Sequence, residues 1–199
     1  SLKLPQLITL NASAETKLTD VISKNTAYNN KVNERMIAFG NLKSLSTRLV
    51  NALQTTDATD ETIDDAKGFN RKLQGKKAST TQTPTDPNAP APSTISTSQQ
   101  SYDQLIQHFS GLKSVLEAEP TYTPNETELQ VATLNAKIAD LNTKNTAVAT
   151  AYTNISNSRI SRNETLYTNE DGIVKTASEV KKYVKSVFGA SSPQYNQVS

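Results

Sequence analysis

Apolar residues recur every three or four positions along two long segments of the chain, one in each half of the sequence. This spacing places the apolar side chains on one stripe of an α-helix. The stripes cover residues 14–53 and 131–166, with Leu18 among the seam positions of the first and Tyr152 among those of the second. The pattern therefore predicts two long helices. The first is predicted to continue through Gly40, at a cost of about 1 kcal/mol, and to exclude the short apolar segment 2–10, which Pro5 interrupts.

Three shorter amphipathic segments predict further helices, at residues 60–74, 98–117 and 173–188. Gly75 and Gly189 follow the first and the last of them, and glycine commonly ends a helix. Ser98 or Ser101 is the expected N-terminal cap of the middle segment. Asn125 is the expected cap of the second long helix, so that this helix is predicted to begin near residue 125.

The two halves of the chain are related in sequence. Residues 17–27 match residues 137–147 at a constant offset, and after a seven-residue shift Leu53 matches Leu166. A seven-residue insertion keeps a helical stripe in phase. We interpret this as duplication of a hairpin of one long and one short helix, although chance could explain the match of the short helices. The predicted fold is all-α, an elongated helical bundle of two related hairpins plus one extra helix.

A segment rich in proline, threonine and serine, residues 76–97, divides the chain. Such a composition cannot propagate a helix. It predicts an N-terminal helical hairpin at 1–75 and a C-terminal helical unit at 98–199, the two forming one joint bundle. The long stripes exceed the short helices in length. The part of each long stripe that the short helices leave uncovered is expected to pack against the helix at 98–117, the N-terminal segment or another molecule.

The amino-acid composition of the chain excludes several classes of function. The chain has no cysteine and one histidine, which excludes disulfides, thiolate chemistry and a metal site of several histidines. Its 21 basic and 19 acidic residues are nearly balanced, so no nucleic-acid partner is expected. No apolar run reaches the ~20 residues of a membrane span. No phosphate loop or nucleophile motif is present, so neither an enzyme nor a cofactor is predicted.

Asn25 and Asn145 occupy equivalent positions of the two stripes. A buried amide in a helical seam can set register and partner choice at some cost in stability. The alternative is a pair of polar binding residues.

Arg159 and Arg162 also fall on the second stripe. A buried arginine needs a partner, and Glu117, Glu119 and Glu164 are candidates. The other hypotheses are a splayed and hydrated end of the bundle, or a site for an anion, since the guanidinium fork suits carboxylate and phosphate groups.

The segment 173–188 is basic, with Lys182 and Lys185 among its four lysines. Three of the lysines lie opposite the valine stripe, as on any solvated helix face. A basic amphipathic helix can also bind anionic membranes or nucleic acid. Together with the two arginines, Lys182 and Lys185 form the candidate site for an anion or partner.

Two further features have structural and chemical interpretations. His108 stands alone beside Phe109, which favours a half-exposed packing residue over a catalytic one. Acidic residues cluster at 57–65, where the start of a helix favours carboxylates. Binding of a divalent ion is the alternative there.

The chain from residue 124 to 195, about a third of its length, resembles an uncharacterised family of bacterial all-helical proteins. The residues that carry the resemblance are Pro124-Asn125-Glu126, Arg162-Asn163, Leu166-Tyr167, Lys182-Tyr183-Val184-Lys185-Ser186, Phe188-Gly189, Ser192 and Gln194-Tyr195. The resemblance implies a helical fold and no assigned activity.

These observations predict a non-enzymatic helical protein that binds a protein partner or associates with itself. The alternatives are an exported or surface structural protein and a module that binds an anionic ligand. The sequence identifies no small-molecule ligand. A cytoplasmic location is favoured, with export open if a signal sequence preceded Ser1.

Overall fold

The computed structural model describes residues 3–75, 100–168 and 170–198. Within them the regular secondary structure is helical, without a β-strand, so the predicted all-α class is confirmed. The helices are α1 (Leu4–Phe39), α2 (Leu42–Leu53), α3 (Asp60–Gln74), α4 (Tyr102–Ala118), α5 (Val131–Asn163), α6 (Ile173–Phe188) and the short α7 (Pro193–Asn196).

Helix α1 begins earlier than predicted. The Lys3 carbonyl accepts hydrogen bonds from the amides of Gln6 and Leu7 at 3.0 and 3.2 Å, so Pro5 lies in the first turn. Amides of the first turn have no partner inside the helix, and a proline there removes no helical hydrogen bond. The prediction that segment 2–10 lies outside the first long helix is therefore wrong for its described residues from Leu4 onward.

The first stripe is not one continuous helix. Helix α1 ends at Phe39, where the Gly40 amide donates to the Ile37 carbonyl at 3.1 Å, and α2 opens with the Leu45 amide donating to the Asn41 carbonyl at 2.9 Å. Glycine loses the most conformational freedom in a helix and is the least favourable of the non-proline residues there. The prediction of a helix through Gly40 is therefore wrong.

The ends of α3, α4 and α6 follow the local signals in the sequence. The Thr59 side chain accepts a hydrogen bond from the Thr62 amide, and the predicted cap Ser101 accepts one from the Gln104 amide. Gly75 and Gly189 end their helices with φ of 74° and 89°, the left-handed region that glycine adopts most readily. The predicted bounds 60–74 and 173–188 are confirmed.

Helix α5 starts later than predicted. A 3-10 turn (Thr127–Leu129) precedes it, and Asn125 is exposed before that turn, so Asn125 is not the cap of α5. The buried Tyr122 hydroxyl donates to the Leu129 carbonyl at 3.0 Å and ties the turn to the end of α4. Burial, and then the nearby Glu126 carboxylate, raise the pKa of Tyr122 to about 12. At its other end α5 passes into a π-helical turn (Glu164–Thr168).

The described residues form two compact units. One comprises residues within 1–32 and 147–199, and the other residues within 33–146. Each unit therefore contains segments from both sides of the predicted linker. The division into 1–75 and 98–199 stays a prediction, and the linker 76–97 lies outside the described residues, as does Ser98.

The core of the 33–146 unit is built where α2, α3 and α4 pack together. Its large fully buried apolar side chains are mostly leucines, each worth about 1.5–3 kcal/mol on burial. They are Leu42, Leu49, Leu53, Leu73, Phe109, Leu112, Leu116, Leu134 and Leu141. Helix α4 thus covers the C-terminal part of the first stripe. The helix at 98–117 was one of the three partners expected to pack on the part of the stripe that the short helices leave uncovered.

The buried side of α5 departs from the predicted stripe after Val148. Ala151, Ile155 and Ser158 are buried, whereas Tyr152 is 57% exposed and Arg159 is exposed. A straight helix has 3.6 residues per turn, so a strict three-four alternation drifts around its surface. The predicted seam positions at 152 and 159 are therefore wrong.

Candidate functional site

A polar and aromatic cluster in the 33–146 unit is centred on Asn145. The Arg35 Nη1 atom donates to Asn145 Oδ1 at 3.0 Å, and Asn145 Nδ2 donates to Asp103 Oδ1 at 2.7 Å. The amide therefore links a cation on α1 to a carboxylate on α4. Arg35, Asn145 and Asp103, with Tyr102 and Phe39, are called the Arg35 cluster below.

The guanidinium of Arg35 also contacts an aromatic ring, which in turn packs on a second ring. Its carbon lies 3.9 Å from the centroid of the Tyr102 ring, a cation–π contact. The Tyr102 ring meets the Phe39 ring edge to face, with centroids 4.7 Å apart. The Nε atom of Arg35 is buried and has no hydrogen-bond partner among the described residues. The Tyr102 ring and the Asn145 amide together hold the guanidinium in this position.

Two lysines of α5 reach α1 beside the Arg35 cluster. Lys137 Nζ donates to the Ala38 carbonyl at 2.7 Å, and Lys144 Nζ lies 3.4 Å from a Glu34 carboxylate oxygen. The polar contacts of Asn145 are thus part of a wider set that joins these segments.

Asn25 lies elsewhere. It is exposed on α1, in the unit that contains residues 1–32, whereas Asn145 is half-buried in the 33–146 unit. A register-setting role for either amide stays a prediction. The hydrogen bonds of Asn145 to Arg35 and Asp103 are the contacts that such a role would use.

The two arginines of the predicted site differ in exposure, since Arg159 is exposed and Arg162 is half-buried. Arg162 donates through Nε and Nη2 to Asn163 Oδ1, at 3.1 and 2.8 Å. Two of the carboxylates proposed as partners of the arginines interact instead with residues near them in the sequence. Glu117 pairs with Lys113 at 2.8 Å, and Glu119 accepts a hydrogen bond from the Thr121 hydroxyl at 2.7 Å. An anion site at Arg159 and Arg162 stays a prediction.

The predicted lysines lie on the surface of α6. Lys182 and Lys185 are exposed, and Lys185 Nζ lies 5.7 Å from the Tyr195 ring centroid. Lys175 Nζ lies 3.0 Å from a Glu170 carboxylate oxygen. The hydrogen bond and charge of Glu170 raise the pKa of Lys175.

His108 is buried, not half-exposed as predicted. It is only 5% exposed on α4, and within the described part of the chain its Nε2 atom has no hydrogen-bond partner. Burial, and then the positive charge of Lys72, lower the pKa of His108. A neutral imidazole is the form that such an environment accepts.

The acidic cluster at 57–65 is exposed, and its Asp64 pairs with Lys67 at 2.9 Å. In the described part of the chain, no group of three or more His, Asp or Glu side chains is arranged to hold a metal ion. None of the helices in those residues has the length and apolar character needed to cross a membrane.

The pattern of the first stripe did not reveal a second apolar stripe on α1. Leu4, Ile8, Leu18 and Ile22 are 43–69% exposed and lie within one helix face, because their separations of four and fourteen residues are close to whole turns. They are called the α1 apolar stripe below. Leu18 had been assigned to the inward seam. The regular return of Leu4, Ile8 and Ile22 to one face is the signal that could have identified the stripe.

The chain matches no protein-family model, no curated protein and no solved structure among those compared. The resemblance of residues 124–195 to a bacterial helical family therefore stays an expectation.

Proposed function

We propose that this chain is a non-enzymatic helical protein that acts by binding another protein chain, with a second copy of itself as the first partner to test. The observation that supports the proposal is the α1 apolar stripe. Single exposed apolar residues are normal on protein surfaces. Four large aliphatic side chains lie on one face of one helix as two pairs, with the exposed polar residues Asn11 and Glu15 between the pairs. Such spaced apolar positions on one face are of the kind that a partner helix covers.

The geometry of the strip suits a helical partner. Leu4 and Ile22 are eighteen residues apart, which corresponds to about 27 Å along the helix axis at 1.5 Å per residue. Burial of apolar surface contributes about 25 cal/mol per Å². A partner helix packed along this length would therefore gain from all four side chains at once.

The internal duplication is part of the same proposal. It is supported by the similar lengths of α3 and α6, 15 and 16 residues, and by the glycine with positive φ that ends each of them. Under this proposal, a repeated hairpin supplies long helices whose stripes exceed what one copy of the chain can cover.

The test is the solution mass measured by light scattering after size-exclusion chromatography, over a wide range of concentration. An Ile8→Asp/Ile22→Asp variant places two charges in the α1 apolar stripe. The matched control, Thr16→Asp/Ser23→Asp, places the same charges on exposed polar positions of the same helix. We expect a defined oligomer in the wild type and the control, and a monomer in the stripe variant.

A monomer at every concentration would refute self-association. An oligomer unchanged by Ile8→Asp/Ile22→Asp would place the interface elsewhere and would refute the role of the α1 apolar stripe. Circular dichroism of each variant verifies that the helical content is retained.

A further inference from the structure

Helix α6 is exposed on more than one side, and on one of them apolar and basic residues share a stripe in which Lys181 is half-buried. Val174, Ala177, Lys181, Lys185 and Phe188 follow one another at steps of three, four, four and three residues, so they lie along one side of the helix. Val174 is 52% exposed and Phe188 is 53% exposed. No residue of α6 is fully buried, so this side is available without unfolding of the helix.

The charge on this side has a single sign. Lys182 is exposed next to the stripe, and Glu179, which is the carboxylate of α6, falls on the other side of the helix. Lys175 lies seven residues before Lys182, on the same flank of the helix, and pairs with Glu170. Lys181, Lys182 and Lys185 therefore form a positive strip beside two large apolar side chains.

We propose that this side of α6 binds the surface of a membrane that contains anionic lipids. In such a complex Val174 and Phe188 enter the boundary between headgroups and acyl chains, and the lysine ammonium groups contact lipid phosphate and carboxylate groups. The helix lies in the plane of the surface and does not span it, in accord with the hydropathy of the described helices.

The chemistry of the strip favours lipid over other anionic partners. Lysine is depleted at protein–protein interfaces, where arginine is enriched, and α6 contains lysine without arginine. An ammonium group is a point charge on a flexible stem, which suits many mobile headgroups better than one fixed carboxylate. Exposed valine and phenylalanine have little role in contacts to a phosphate backbone, but they gain by entering a bilayer.

The test is flotation of the whole chain with vesicles of phosphatidylcholine alone and with vesicles of phosphatidylcholine and phosphatidylserine. We expect binding to the anionic vesicles only, decreasing as salt is added. Each lysine near an anionic surface contributes about a fivefold gain in affinity, so Lys182→Gln/Lys185→Gln should lose about thirtyfold. Phe188→Ser should weaken binding without changing the charge.

The matched control is Lys17→Gln/Lys24→Gln, which removes the same charge from α1 in the same unit. It should change binding much less than the α6 double variant. Absence of binding to the anionic vesicles at low salt would overturn the proposal. Equal losses in the two double variants would also overturn it, because they would show a general effect of net charge. Wild-type helical content in every variant makes these comparisons valid.

Discussion

A glycine at the contact of α3 and α4 allows a sharp prediction about packing. Gly111 of α4 faces the Phe69 ring of α3, and a Cβ atom at position 111 would lie 2.5 Å from the ring Cζ and 2.8 Å from Cδ1. A Cβ atom in a folded protein essentially never lies within 3.0 Å of an atom to which it is not covalently linked through neighbouring residues. Gly111→Ala therefore requires the ring or the helix to move.

Two effects of this substitution oppose each other. Alanine is favoured over glycine inside a helix by about 1 kcal/mol, whereas overpacking costs about 1–3 kcal/mol. We expect overpacking to win, so that Gly111→Ala lowers the free energy of unfolding by up to about 2 kcal/mol. In a Phe69→Ala background the ring is gone, and the same substitution should raise the free energy of unfolding by about 1 kcal/mol.

Urea unfolding of the wild type, both single variants and the double variant measures this as a double-mutant cycle. The expected coupling energy between positions 69 and 111 equals the overpacking cost, about 1–3 kcal/mol, within the range seen for residues in contact. A Gly111→Ala variant that is stabilised equally in both backgrounds would refute the close approach of α3 and α4 at this point.

Two further predictions concern buried polar groups. The folded-state pKa of His108 lies below its ordinary value of 6.5, so the unfolded chain binds more protons between these two values. Stability should be full above pH ~7, fall as the pH decreases through 6.5 and level off below the folded pKa. Because His108 is the chain's single histidine, His108→Leu should remove this dependence in urea titrations. Asn145→Ala leaves Arg35 and Asp103 without their amide partner and should cost about 1–3 kcal/mol. Asn25→Ala, at an exposed helical position, should be neutral or slightly stabilising by thermal denaturation; equal losses in the two asparagine variants would contradict the role given to the cluster.

The elements that the sequence predicted best are those with signals at both ends. Helix α3 lies between the Thr59 cap and Gly75, and α6 ends at Gly189, where φ is positive. Such signals act within a few residues, so they can be recognised without knowledge of the tertiary structure. They define where a helix begins and ends, and they do not identify what it contacts.

The long helices were predicted less well because small errors of phase accumulate along them. A strict alternation of three and four residues assigned Tyr152 and Arg159 to the seam, whereas Ala151 and Ser158 are buried. The Arg35 cluster could not be predicted from the sequence either, because Arg35 and Asn145 are 110 positions apart. No local pattern pairs a guanidinium with one amide among so many asparagines.

The break at Gly40 and Asn41 has a consequence for how the chain can change length. Inserting one residue into a continuous helix turns every later side chain by about 100° around the axis, which would rotate a buried leucine into water. Between Phe39 and Leu42 the helical hydrogen-bond ladder is already interrupted, so the joint can absorb such a rotation. Changes of one or two residues should therefore be tolerated at this joint, while α2 keeps Leu42 and Leu49 in the core.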